Sequence, residues 1–464
     1  MKPHLSLLTL CLLLGACGSP VQRPDSGIEP PSSWQSPHTQ HAAHRNLQWW
    51  TQFGSPELDR LIEQARVGSF DLAAAIARVR QAQADTVIAG GSQLPEVKAG
   101  LNANRQKLLR GSGYSQLDAD SSNKAVDYFT ANLSATYEID FWGGQRASRD
   151  SAQFGLQASE FDQATVALTL LSSVANSYAQ ALSLREQSRI AGLNLANAQN
   201  VLNLVQTRFD SGSATALELA QQKSLVAAQQ RQLPLVQQQA QDALISLAAL
   251  LGRPVQQLRL GAERFDQLSW PTIAAGVPSE LLTRRPDIAR AEAQLAAARA
   301  DVTVARAAML PTVTLSAELG SGADRAADIL RNPFYNLTAG LLAPVFNNGR
   351  LSAERDKATA RQEELLENYR GAIINGFADV EKALNSIRGL DEQRQWQGEE
   401  LSQAQTAFNI AQSRYEAGAE DLLTVLETQR TLYAAQDLNV QLRLSRLQAS
   451  IALYKALGGG WQAM

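Results

Sequence analysis

The sequence predicts a mainly α fold with a membrane-inserted β portion, built twice along one chain. Three observations carry that expectation. From Tyr128, the stretch "YFTANLSATYEIDF" alternates apolar and polar residues without a break, as a long strand with one greasy and one wet face does. The segment from Ala147 to Phe209 contains no proline and reads as a helix of unusual length. Three sequence blocks recur in the same order, which makes the architecture a duplicate.

The N-terminus sets the compartment. Lys2 precedes "LSLLTLCLLL" (Leu5 to Leu14), an apolar run too short to span a bilayer as a helix. With the small residues after it, 1–16 reads as a secretory signal outside the fold. The cut site, Leu14-Gly15-Ala16-Cys17, resembles the lipobox of bacterial lipoproteins, which implies cleavage before Cys17 and attachment of lipid to it. Gly18 and Ser19 follow where an Asp would favour inner-membrane retention, so the outer membrane is expected. Cys11 leaves with the signal and no disulfide is available. Residues 17–46, rich in Pro and Ser, read as an acylated tether. His38, His41 and His44 are spaced by three within it. Imidazoles without Cys or carboxylate company are ordinarily solvated, and neither a metal nor another cofactor is expected.

Composition narrows the function further. With a net charge of −3, the chain lacks the basic surface that nucleic-acid binding needs. No continuous apolar twenty-mer follows the signal, so a membrane could be crossed only by strands closed into a barrel. HExxH, GxSxG and a cysteine nucleophile are absent, and an enzyme is not expected.

The repeat divides the rest into 47–270 and 271–464. "SQLPEVKAGLNAN" (Ser92 to Asn104) matches "AMLPTVTLSAELG" (Ala308 to Gly320), with Pro95 on Pro311. "DFWGGQRASRD" matches "PVFNNGRLSAE", with Arg146 on Arg350, and "RFDSGSATALEL" matches "RYEAGAEDLLTV", with Arg208 on Arg414. The offsets are 216, 204 and 206, and the drift falls inside two hairpins, about 94–142 and 311–347, of which the first has the longer loop. Each half then reads as helix, strand, loop, strand, very long helix, Gly-containing break and helix.

The remaining strands alternate as the first does. Val97, Leu101 and Ala103 form one face. Val313, Leu315, Ala317 and Leu319 form another, and so do Tyr335, Leu337, Ala339, Leu341 and Val345, with Leu342 breaking the pattern. Fourteen residues at about 3.3 Å each reach roughly 46 Å, enough to cross a bilayer core of about 30 Å when tilted. Four strands cannot close a barrel, so several chains must contribute to one cylinder. Leu168, Leu171, Ala175, Tyr178 and Leu182 follow three-four spacing, as do Val440, Leu444, Leu447, Ile451 and Tyr454. Helices this long are expected to lie against one another across halves and chains, without a compact core of their own.

In combination with the lipobox, "LQWWTQFGSPELDRLIEQA", "RRPDI", the paired "RFDSG" and "RYEAG", and "LYKALGGGW" resemble the outer membrane efflux proteins, the TolC-like family, in its NodT-type lipoprotein branch. The likeness covers nearly the whole mature chain. It implies a homotrimer with a twelve-stranded β-barrel in outer membrane lipid, four strands per chain, continued by a long α-helical barrel across the periplasm. It also implies a passive exit duct for small molecules, joined by a periplasmic adaptor to an inner-membrane pump. The commonest pumps are of the resistance–nodulation–division (RND) class, and ABC pumps use such ducts too. The alternative from the residues alone is a periplasmic coiled-coil adaptor or structural lipoprotein, which explains the helices and leaves four strands idle.

The resemblance places a gate at the helical tips. Gly212 and Gly418 are the expected turns, where glycine permits otherwise strained dihedrals. Tyr415 and Glu218 fall at positions resembling a restraining pair of the family. Glu420 stands where a relative has a basic residue, and Asp421 follows. Three copies of this acidic pair could ring the narrowest point. At about 8 Å and an effective dielectric near 20, each pair of charges would repel by roughly 2 kcal/mol. Solvated charges at a helix start are the alternative for both acids.

Overall fold

The computed structural model describes residues 26–36, 48–107, 125–271 and 273–461. The signal, Cys17, His38, His41 and His44 lie outside them. The first half runs α1 (Pro56–Gly68), α2 (Phe70–Gly91), β1 (Glu96–Gln106), β2 (Val126–Ile139), α3 (Gly144–Asp210) and α4 (Ala216–Leu250). The second runs α5 (Pro278–Arg284), α6 (Pro286–Ala307), β3 (Thr312–Ala323), β4 (Pro333–Leu342), α7 (Arg350–Glu416) and α8 (Leu422–Ala456).

The duplication is tighter in structure than in sequence. Helices α3 and α7 both have 67 residues, α4 and α8 both have 35, and α2 and α6 both have 22. At 1.5 Å per residue, each 67-residue helix is about 100 Å long. The start of α6 lies 216 residues after that of α2, and α7 and α8 each start 206 residues after their counterparts. Arg350 therefore corresponds to Gly144, two residues from the expected match with Arg146.

Strand ends also differ from expectation, for local reasons. Strand β2 has the expected 14 residues but starts and ends two earlier. Asp140 leaves the ladder to accept from the N–H groups of Gln145 (3.1 Å) and Arg146 (2.9 Å) at the start of α3. Strand β4 stops at Leu342, ahead of Pro344, which has no N–H for a ladder, and Val345 stands outside the strand.

The four strands form one antiparallel sheet in chain order, so among the described residues β1 and β4 are its free edges. Near the sheet, α3 packs between α2 and α6, and α6 against α7. Further away, α3 packs between α4 and α8, and α8 against α7. The C-terminus of α8 thus meets the N-terminus of α6 end to end. In the tail after α8, Gly458 has a φ of +88°, and a Cβ there would lie 2.0 Å from the Arg284 carbonyl oxygen. That approach explains a glycine in "LGGGW".

Midway along the helices there is a core, contrary to expectation. Ala175, Tyr178 and Leu182 of α3 and Val440, Leu444, Leu447, Ile451 and Tyr454 of α8 meet in one cluster with Trp49, Trp50, Phe53 and α1. The two seams join each other because the N-terminal aromatics fill the space between them. The linker segment 258–270 packs along this level. Trp270 faces the guanidinium groups of Arg394 (3.9 Å) and Arg443 (4.6 Å), and Arg443 donates to the carbonyls of Asp266 and Leu268.

The expected tether is partly docked. Trp34 is buried, and its indole donates to the Gly276 carbonyl at 2.9 Å. Glu381 accepts from the backbone N–H groups of Gln35 and Ser36, and Arg370 donates to the Ser26 carbonyl. Residues 26–36 are therefore a strap along α7.

Candidate functional site

The register of the sheet turns four separate alternations into two continuous faces. Val97 sits opposite Ala135, Ala135 opposite Ala317 and Ala317 opposite Leu337. Ala99, Leu133, Leu319 and Tyr335 form the next such row, and Ile139, Val313 and Leu341 another. Directly opposed residues share a face, so one side of the sheet is apolar across all four strands. Among the described residues no helix covers it: Leu101 is 81% exposed and Leu337 73%. An apolar face of this extent, left bare, belongs against lipid or protein.

The other face is polar. One row across the strands contains Lys98, Ser134, Glu318 and Asn336, and another contains Glu96, Thr136, Ser316 and Thr338. Asn132 donates to Glu318 at 3.0 Å, and Lys98 pairs with Glu96 at 2.8 Å. At the helix end of the sheet, Phe141, Trp142 and Phe346 are all exposed, as a girdle at a membrane–water boundary is. Trp142 is fixed there by its indole N–H, 2.7 Å from the Pro311 carbonyl.

At the far end, α3 turns into α4 and α7 into α8. Gly212 (φ +77°) and Gly418 (φ +78°) make the two turns in the left-handed region. Glu218 completes a capping box with Thr215, accepting from its backbone N–H at 2.6 Å. Asp421 is the N-cap of α8, accepting from Thr424 N–H at 2.8 Å, and these hydrogen bonds hold its carboxyl below the usual range. Glu420 pairs with Arg414 at 3.2 Å.

Each acidic residue expected at the gate thus has a partner within its own chain. Tyr415 is buried, 2% exposed, under the guanidinium of Arg208 at 4.3 Å, and Arg208 also donates to the Tyr415 carbonyl at 2.5 Å. Burial pushes the phenol up, against the pull of Arg208. Tyr415 and Glu218 make no hydrogen bond with each other within the chain. Arg208 was missed by sequence reasoning, although its place in the paired "RFDSG" and "RYEAG" blocks marks it.

A sheet with a lipid-ready face and two open edges, continued by helices about 100 Å long, defines a membrane channel whose barrel is closed by several copies of the chain. The comparisons with known proteins agree. The family model described as outer membrane efflux protein matches residues 61–253 and 277–459, one match to each repeat, and the chain belongs to that family. It is 65% identical over 461 residues to the pyoverdine export outer membrane protein OpmQ of Pseudomonas aeruginosa, covering 99% of this chain and 97% of that one. To the protein of the same name in Pseudomonas putida it is 62% identical, covering 99% and 98%. Among solved structures, the OprN outer-membrane channel superposes with a TM-score of 0.87 at 26% identity, covering 96% of this chain and all of that one. A CusC channel does so with a TM-score of 0.83 at 27% identity, covering 95% and 99%.

The protein is an outer membrane channel of an efflux system. The family implies a trimer within a tripartite pump of channel, adaptor and inner-membrane transporter. In the trimer that the family implies, the edges of β1 and β4 are the ones left open for pairing with a neighbouring chain.

Proposed function

We propose that this channel is the exit duct for a siderophore of the pyoverdine type. The supporting observation is the full-length identity of 65% and 62% to two relatives named for pyoverdine export. Deleting the gene in its native host and measuring pyoverdine in the medium and the periplasm tests the proposal. The expected outcome is periplasmic accumulation with loss from the medium, and an unchanged distribution refutes it.

Three finer points belong to the same proposal. Lipid at Cys17 anchors the strap of residues 26–36, and Cys17→Ala removes incorporation of labelled palmitate. The transporter is of the RND class, with the ABC class as the alternative; export that continues without proton-motive force and stops on loss of ATP hydrolysis selects the second. The tips gate the duct, and three copies of Glu420 and Asp421 favour cations there. Planar-bilayer recording tests this: Glu420→Ala with Asp421→Ala lowers cation preference, and unchanged conductance and selectivity exclude the ring.

A further inference from the structure

A cavity of about 610 Å³ lies in the wall of each chain, where α8 ends and α6 begins between the two long helices. Its position relative to the equatorial core is decisive. On α8, Leu447, Ile451 and Tyr454 point into that core, while Ser445, Gln448 and Lys455 line the cavity on the other side. On α7, Val380 and Leu384 pack with Trp34 beneath the strap, Lys382 and Ser386 line the cavity, and Ala383, with Ala456 of α8, borders both. The strap and linker cannot fill the bore of a duct, so they lie outside it and the cavity opens to the lumen. That orientation rests on the duct reading above.

The charges in the recess are unevenly matched. Arg285 is saturated, bound to Asp287 at 2.6 Å, to Asp379 at 3.0 Å and to the Ala456 carbonyl at 3.3 Å. Lys382 and Lys455 have no carboxylate within salt-bridge reach among the described residues. Lys382 and Lys455 add two positive charges beside an Arg285–Asp287–Asp379 cluster of net −1, which leaves the recess one net positive charge. Hydroxyls of Ser386 and Ser445 stand nearby over a largely apolar floor. Ligand pockets of a few hundred Å³ have this make-up, apolar walls with a few convergent polar groups.

We infer that this recess is a transit site for acidic small molecules on the lumenal wall, one per chain. Lys382 and Lys455 take the carboxylates of the cargo through charge-assisted hydrogen bonds. Such a site raises the local concentration of acidic cargo in the duct and biases a passive channel toward it.

The test is fluorescence anisotropy of carboxyfluorescein titrated with the purified trimer. Saturable binding is expected, weakened about ten-fold or more in Lys382→Gln with Lys455→Gln and restored by the paired Arg substitutions. Lys223→Gln, on α4 and outside the recess, is expected to leave binding unchanged. No saturable binding to the wild-type trimer up to millimolar dye, or equal binding by the double Gln variant, overturns the inference. Cross-linking and bilayer conductance of the same preparations separate the two levels. A conducting trimer that ignores the dye sinks the recess alone, whereas a chain that never assembles or conducts sinks the duct with it.

Discussion

The two helical tips descend from one repeated sequence and hold themselves differently. Both use a left-handed glycine and both cap the returning helix, through Thr215 in one and Asp421 in the other. Among the positions that differ, Ala214 against Glu420 sets the partner of the arginine. At the second tip Glu420 takes Arg414 within its own turn. At the first tip Arg208 has no such acid and reaches to the carbonyls of Tyr415 and Glu416. The aromatics that follow the arginines diverge accordingly: Tyr415 is buried beneath Arg208, and Phe209 is 37% exposed. One tip is self-contained, and the other supplies the tie between hairpins.

The largest expected asymmetry is in these aromatics. Tyr415→Ala empties a buried site and should cost about 3 kcal/mol, whereas Phe209→Ala should cost under about 1 kcal/mol. Thermal unfolding of the purified protein followed by circular dichroism measures both, and equal losses would break the comparison. The glycines should instead behave alike. Gly212→Val and Gly418→Val each force a branched side chain into a positive φ, at about 2 kcal/mol.

A smaller effect separates the arginines. Arg208→Ala removes a stacked cation and its carbonyl contacts, about 1 kcal/mol, and Arg414→Ala removes an exposed pair worth less. Ala214→Glu sharpens the contrast, because it offers Arg208 an acid in its own turn. The Arg208–Tyr415 coupling in a double-mutant cycle should then shrink. Smallest is a pH effect. The Asp421 carboxyl is held below its ordinary value, so its contribution is present above the unfolded-state value and fades as pH falls through the folded one. Asp421→Asn keeps a cap and should flatten that part of the acid limb of the stability curve.

Much of this fold was legible because it is written locally. A period of two along β2 requires two unlike faces, and a proline-free run of sixty residues with three-four spacing requires a long helix. The end of β2 fell two residues earlier than the alternation because Asp140 was claimed by the next element. Gly212 and Gly418 were legible as turns and a helix start was one reading of Glu420 and Asp421, but the capping box of Glu218 and the pairing of Glu420 with Arg414 were not. Capping and ion pairing depend on which donors the folded tip brings within reach.

By itself, the sequence determined the faces of the strands, the lengths of the helices, the duplication and the positions of the two tips. Backbone sterics and side-chain period act over a few residues and need no partner to be specified. Tertiary structure alone decided that the seams of α3 and α8 share a core, that residues 26–36 are strapped to α7, and that Arg208 crosses to the other hairpin. It also brought Lys382 and Lys455, neither paired with a carboxylate, into one recess between α3 and α7. Period tells which side of a helix is buried; only packing of segments hundreds of residues apart tells against what.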